Sequence, residues 1–284
     1  MCVTFLMLNP DAAGDQWQLV LINNRDEHFD RPTMAAAWKD GVLAGRDMKE
    51  GASCGGTWLG VGQTGRLGVL MNIYEPPSSA LNSVTRGFLA LDFVGGVNSP
   101  VGYAQQLGSG QTFPGFALLL LEKTWDDVEK WRTAYFSNRF EAGTEVLAPG
   151  VYGFGNCPRN KPFLKVQRGL QLFQQTLFKY LLVTDSDKWQ FVEDLVRVLR
   201  DKTRCYPDSQ LQSQGTHMPA ALQERLSSCF VEFPAEHKYG TRTHTVILVD
   251  GLNNVTHVER TMHERDWSAP WSQTKHEFQF KPSH

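Results

Sequence analysis

Cys2 follows Met1 directly, and removal of a methionine ahead of a small residue leaves a cysteine whose thiol and free α-amine belong to one residue. A nucleophile then carries its own base. The α-amine has a reference pKa of about 7.7–8.0, low enough to take a thiol proton near neutral pH. The chemistry this implies is attack on an acyl carbon. Asn23-Asn24-Arg25-Asp26-Glu27 is the next concentration of chemical groups. If Cys2 and Asn24 lie on paired strands of one hairpin, Arg25 falls beside the thiol, where a cation lowers its pKa. Asp26 can then orient the ammonium or the guanidinium. Without such neighbours Cys2 reads as a small hydrophobe in an edge strand.

The elements that would position these groups are strands. Residues 2–8 and 17–23 are apolar, β-rich runs separated by a polar turn, Asn9 to Asp15, which carries the turn chemistry of a hairpin with a longer loop. A second hairpin runs from Thr57 to Val61 and from Arg66 to Ile73, in a stretch crowded with glycine where backbones approach closely. Further strands are expected at 117–121, 128–136, 243–250, 255–262 and 277–281, with Asp250-Gly251 marking a turn. Helices are expected at 85–94, 101–107, 162–182 and 188–202. In the last, Trp189, Val192, Leu195, Val196 and Leu199 recur at three- and four-residue steps, and Asp185 or Ser186 would cap it. The loop 206–219 is polar enough to be mobile. Hairpins without βαβ alternation predict an α+β fold built on antiparallel sheets. The reading is one domain over 1–284, with a C-terminal tail 264–284 packed on it.

Composition narrows the function classes. The 284 residues carry 28 Lys and Arg against 30 Asp and Glu, a net charge of −2, with no basic run, so nucleic acid is not an expected partner. Five cysteines (Cys2, Cys54, Cys157, Cys205, Cys229) without a C-x-x-C pair make neither a disulfide framework nor a zinc site. No basic residue precedes the first apolar run, which a polar turn ends, so neither a signal peptide nor a membrane span is expected. The expected compartment is reducing.

Beyond these readings, the chain resembles a known family. M-C at the start, N-R-D-E at 24–27, G-G-T-W-L-G at 55–60, L-M-N at 70–72, P-G-x-Y-G-x-x-N at 149–156 and Y-G-T-R-T-x-T-x-I-L-V-D at 239–250 are similar to the blocks of the NRDE-motif proteins named for transport and Golgi organization. The resemblance spans nearly the whole chain. It implies a four-layer αββα sandwich of two antiparallel sheets, the N-terminal-nucleophile hydrolase-like fold. It further implies ties to secretory-pathway organisation and to mitochondrial lipid or haem homeostasis. The site residues it implies, by similarity to choloylglycine hydrolases and penicillin acylases, are Cys2, Arg25, Asp26, Asn72, Asn156 and Arg242. In that class Arg and Asp stand further apart than here. Adjacent strand residues point to opposite faces, so an Arg25 that faces the thiol turns Asp26 away unless the strand has ended.

The expected activity is hydrolysis or transfer of an acyl group from an amide or thioester. The alternative is a carrier holding haem, acyl-CoA or lipid in the same cleft. No cofactor is required, with haem a candidate cargo, and the partner is a small-molecule or lipid-like ligand. The location implied is cytoplasmic, with peripheral association at Golgi or mitochondria. Cys157-Pro158 is a dipeptide met as a thiolate arrangement at regulatory haem sites, but a turn thiol is the favoured reading of a single such pair. Histidines such as His217, His237, His244, His257 and His263 form no short metal-like pair on an evident helix. Trp38, Trp58, Tyr74 and Phe154 suit either core packing or the lining of an apolar pocket.

Overall fold

The computed structural model describes residues 1–49, 55–73, 75, 84–108, 112–126, 130–140, 143–180, 185–263 and 266–282. In chain order its strands are β1 (Val3–Leu8), β2 (Trp17–His28), β3 (Thr33–Lys39), β4 (Val42–Asp47), β5 (Leu59–Gly62), β6 (Arg66–Asn72), β7 (Phe116–Lys123), β8 (Trp131–Ser137), β9 (Thr144–Glu145), β10 (Gly150–Gly155), β11 (Tyr239–Asp250), β12 (Asn254–Thr261) and β13 (Ser272–Gln279). The helices are α1 (Leu89–Gly95), α2 (Pro100–Gly108), α3 (Leu164–Lys179), α4 (Asp185–Leu199), α5 (Ser209–Gln214) and α6 (Ala220–Leu226). Contacts divide the chain into two units, Met1–Asp30 with Pro149–Phe278, and Arg31–Ala148 with Gln279–His284. Each is an antiparallel sheet with helices packed on it, the α+β character that the hairpin pattern predicts.

The first unit is a six-stranded sheet in the order β10-β1-β2-β11-β12-β13. The two apolar runs pair as expected, Val3 opposite Asn24 and Leu8 opposite Leu19. β2 continues past its apolar part to His28 because β11 pairs along its other edge as far as Tyr239. The polar motif is therefore strand, not loop. α3 packs against β10 and β1, and α4 against β2 and β11. Val192, Leu195, Val196 and Leu199 are buried on α4 as the spacing predicts, while Trp189 sits at the stripe's edge, 36% exposed. The expected cap at Asp185 or Ser186 involves side chains outside those described. Residues of the C-terminal tail form β13 beside β12, at the edge of the sheet.

The second unit is a seven-stranded sheet in plain sequence order, β3 through β9, with α1 against β5 and β6 and α2 against β7 and β8. Phe93, Tyr103, Phe116, Leu118, Leu120 and Phe136 form its core. The expected hairpin of 57–61 and 66–73 is β5 and β6. Trp58 is buried and Trp38 is 37% exposed on β3, while Tyr74 and Cys54 lie outside the described residues.

Three elements differ from expectation. β3 and β4 join through Asp40-Gly41, both at positive φ (51° and 76°), with Lys39 opposite Val42, the two-residue hairpin that an Asp-Gly pair favours. Asp-Gly marks that turn, but the flanking segments are too mixed in polarity to announce strands. β10 has no apolar alternation, because glycines occupy half of it. The loop 206–219 is partly helical. Asp208 caps α5, accepting hydrogen bonds from the backbone N–H of Gln210 and of Leu211, each at 3.0 Å.

Two histidines of the first unit are buried and neutral. Burial holds the His244 imidazole well below its ordinary range and pushes that of His257, on β12, down to about 3. The unfolded chain's imidazoles titrate near 6.5, so below that pH the unfolded state binds protons that the folded state refuses. The contribution is complete above about pH 6.5 and is lost as pH falls toward the folded value, by about 1.4 kcal/mol per pH unit for each histidine. Urea unfolding between pH 7.5 and pH 5 should give a stability that falls with acid, and His257→Gln should flatten that slope by about 1.4 kcal/mol per pH unit. An unchanged slope would mean that His257 is protonated in the folded protein.

Candidate active site

β1 lies between β10 and β2, and the two registers converge on Cys2. Val3 opposes Gly155 on one side and Asn24 on the other. One step further along each register sets Cys2 between Asn156 and Arg25. Cys2 and Asn156 thus each stand one residue beyond the end of a paired strand, and Arg25 one residue along β2 from the last paired position. β11 adds a fourth predicted residue. Its register against β2 slips between Thr241, opposite Asp26, and Thr243, opposite Arg25, so Arg242 is the extra residue of a β-bulge. Bulges re-aim side chains and recur beside active sites. Arg242 donates from Nη1 to the carbonyl of His28 at 2.7 Å. Asn156 is buried, and its carbonyl accepts from Gln214 Nε2 at 3.1 Å. Asn72 ends β6 in the second unit and is exposed.

Asp26 resolves the geometric objection raised by its adjacency to Arg25. The strand has not ended, and the carboxylate does not serve the thiol. Its backbone N–H donates to Cys2 Sγ at 3.5 Å, while its side chain serves the chain's amino terminus. Oδ2 lies 3.0 Å from the Met1 ammonium, a pair with side chains 5% and 0% exposed, and Oδ1 accepts from Thr241 Oγ1 at 2.6 Å. The Met1 ammonium also donates to the Tyr239 hydroxyl at 2.5 Å. Tyr239 is pushed well above its usual range, by burial first and by Asp26 second, so it stays a neutral hydroxyl. Thr241 Oγ1 accepts from the Val231 N–H at 2.8 Å, which leaves its own proton for Asp26.

The thiol itself is 9% exposed, and burial raises its pKa above the ordinary cysteine value. The Met1 ammonium, the Asp26 N–H and the Arg25 guanidinium pull the other way, while the Asp26 carboxylate adds to the rise. With Met1 in place Cys2 is a protonated thiol whose backbone nitrogen is an amide.

Residues of the NRDE motif divide their duties by strand face. Asn24 donates from Nδ2 to the Leu199 carbonyl at the end of α4 (2.7 Å) and to the Cys229 carbonyl (2.9 Å), and its Oδ1 contacts His244 Nδ1 at 2.6 Å. Arg200 donates from Nε to His244 Nε2 at 3.3 Å, which makes Nδ1 the protonated nitrogen and Asn24 Oδ1 its acceptor. Asn24 is therefore a buried strut between β2, α4 and β11. Tyr239 and Thr241 belong to the recognised Y-G-T-R-T block but were not singled out within it. Lys165, 1% exposed on α3, was missed too. Its signal is a lysine in the same helical stripe as Gly169, Phe173 and Thr176.

Cys157 is a turn thiol. It accepts from the Phe163 N–H at 3.3 Å, and burial pushes it up to about 12. Among the described residues no group of three or more His, Cys, Asp and Glu side chains is placed to hold a metal ion. No described helix is long and apolar enough to cross a membrane.

The family model "Transport and Golgi organisation 2" (TANGO2) matches residues 1–264. The chain belongs to that family. It is 32% identical to the Transport and Golgi organization protein 2 homolog of Bos taurus, over 99% of this chain and all of the relative. The Homo sapiens homolog is 32% identical over 98% of this chain and 99% of its own length, and the Drosophila melanogaster protein 31% over 99% of each. Among solved structures, the Caenorhabditis elegans ortholog of N-acylethanolamine-hydrolyzing acid amidase aligns over 87% of this chain and 92% of its own, at TM-score 0.45 and 11% identity. A mutant conjugated bile acid hydrolase from Clostridium perfringens aligns over 98% and 92%, at TM-score 0.42 and 10% identity.

In this TANGO2 family member the Asn24 strut carries a direct test. Asn24→Ala leaves two carbonyls and the His244 N–H buried without partners, which should cost about 3 kcal/mol or more. Denaturant unfolding of the variant reads this, and a loss under about 1 kcal/mol would show that water replaces the amide.

Proposed function

We propose that this protein, once Met1 is removed, is a cysteine N-terminal nucleophile that hydrolyses or transfers the acyl group of an amide or thioester. The observation that carries the reading is the Cys2 thiol held by the Asp26 N–H and within the field of Arg25, with the Asp26 carboxylate at the chain's amino terminus. The Cys2 amine takes the thiol proton. Sγ bonds to the acyl carbon, and the leaving amine or thiol departs with the proton held by the α-ammonium. Water then attacks the acyl-enzyme, giving its proton to the same amine, and releases the acid and the thiol. Arg25 supplies the charge that favours the thiolate. Asn156 is the amide donor for the developing oxyanion, where loss of one donor costs about 2.7–4 kcal/mol of barrier. Asp26 and Tyr239, which hold the Met1 ammonium in the uncleaved chain, are the groups on hand to receive the new amine, with Thr241 fixing the carboxylate.

A carrier reading shares these residues. It is favoured by one observation, the buried and protonated thiol of the Met1-bearing chain. On that reading the cleft holds haem, acyl-CoA or another lipid-like ligand without turnover. The relatives are named for transport and Golgi organization, which supports a secretory-pathway setting for this chain, and a mitochondrial lipid or haem role rests on the resemblance of its motifs.

Intact mass of the purified protein, before and after a thiol-directed acylating probe, separates the readings. The catalytic one expects loss of Met1, one acyl adduct, none in Cys2→Ala, and turnover of an amide or thioester. Retained Met1, or labelling indifferent to Cys2→Ala, moves the assignment to the carrier. Within the catalytic reading, Arg25→Met should slow labelling at pH 7 about tenfold for each unit by which the thiol pKa rises. A rate that is unchanged across the pH range would remove Arg25 from the site.

A further inference from the structure

Lys165 is a buried ammonium to which the Cys2 reading gives no task. It stands on the sheet-facing stripe of α3, 1% exposed, and donates from Nζ to the Met1 carbonyl at 2.8 Å. Burying a lysine is costly unless it is paired, and here an acceptor belongs to the residue that the mechanism discards. The close approach is built in. At Gly169, one turn further along the same face, a Cβ would fall 2.2 Å from Phe5 Cζ and 2.8 Å from Cys229 Sγ, so only glycine lets α3 settle onto β1 at this depth.

Across a planar peptide the carbonyl oxygen and the following nitrogen are about 2.2 Å apart. Lys165 Nζ therefore lies within about 5 Å of the Cys2 nitrogen. We propose that Lys165 is a positioning residue of the Cys2 site, whose fixed positive charge keeps the α-amine released by Met1 removal unprotonated, and hence basic, near neutral pH. The inference rests on the N-terminal-nucleophile reading. A like charge disfavours the ammonium form of the amine and favours the thiolate, so Lys165 draws both titrations downward. The other charges around the site set the balance in which it acts. Asp26 and Arg25 on β2 and Tyr239 on β11 surround the thiol, and Tyr239 stays neutral. Lys165 also acts on the thiols of Cys157, Cys205 and Cys229, with Asp208 acting on the first two, Asp201 on the last two and Asp26 on Cys229. Burial raises all three of those thiols, so they compete for the ammonium only as neutral groups.

The test titrates Cys2 itself. Protein beginning at Cys2, made by aminopeptidase or by cleavage of a leader, carries ¹³Cβ-cysteine, and the Cys2 resonance, assigned with Cys2→Ala, is followed by NMR from about pH 5 to about pH 10. Lys165→Met should move the midpoint up by about one unit or more, and Lys165→Arg, which keeps the charge, should leave it near the wild-type value. Equal midpoints in wild type and Lys165→Met overturn the proposal, as does a Lys165→Arg shift as large as that of Lys165→Met. A wild-type thiol that stays protonated to pH 10 overturns it as well. Where Lys165→Met does not fold, Lys165→Gln is read in the same way. Turnover of amides and thioesters by the wild type is measured separately. A shifted midpoint without turnover sinks the catalytic reading and leaves the electrostatic one standing, whereas turnover with coincident midpoints does the reverse.

Discussion

A carboxylate with no exposed side-chain surface, that of Asp26, needs compensation from every direction, and the amino-terminal end of the first unit is organised around supplying it. The ammonium of Met1 sits against one oxygen and the hydroxyl of Thr241 against the other. Breaking a buried ion pair on one side leaves an uncompensated charge, which costs about 3–5 kcal/mol. The chain terminus is thereby fixed in position, and with it Cys2. A terminus that would ordinarily fray is held by electrostatics as much as by the strand that follows it.

That constraint explains how adjacent Arg25 and Asp26 can serve one site. Side-chain alternation along β2 separates them, and the separation is useful. Arg25 acts on the Cys2 thiol through its charge, while the Asp26 carboxylate binds the Met1 ammonium, one residue before the cysteine. The bulge at Arg242 completes the arrangement from the opposite edge of β2, since a regular ladder would set one β11 residue against each β2 residue and leave no extra arginine beside Arg25 and Asp26. Asn24, on the next position back, faces α4 and binds the helix end to the sheet. The motif joins fold and site in consecutive residues.

Much of this was legible in sequence. Apolar runs of β-branched and aliphatic residues announced β1, β2, β6, β7 and β11, because strands buried on both faces read as continuous hydrophobic stretches. The amphipathic periods of α3 and α4 were equally plain. β10 was not, because its glycines carry no pattern, although its block was recognised through Asn156. The bulge was invisible, since nothing in Y-G-T-R-T marks a slip of register. Lys165 was missed for a related reason. A lysine within an apolar stripe is normally taken as a stem lying along the surface with its head in water. Only the depth to which Gly169 lets α3 descend distinguishes that from a buried ammonium.

The same terminus explains why the thiol's two states differ so sharply. With Met1 present, the ammonium lies one residue before Cys2, and the amide nitrogen of Cys2 can accept no proton. Burial then outweighs the nearby cations, and the thiol stays protonated. Removing Met1 moves the ionisable nitrogen onto Cys2, withdraws the Met1 carbonyl from Lys165 and takes the Met1 ammonium away from Asp26. Strand pairing on both sides of β1 holds Val3 and the residues after it whether or not Met1 is present. On the proposed reading, one peptide bond separates the protonated thiol of the Met1-bearing chain from a nucleophile with its own amine, and the fold supplies charged groups on either side of that bond.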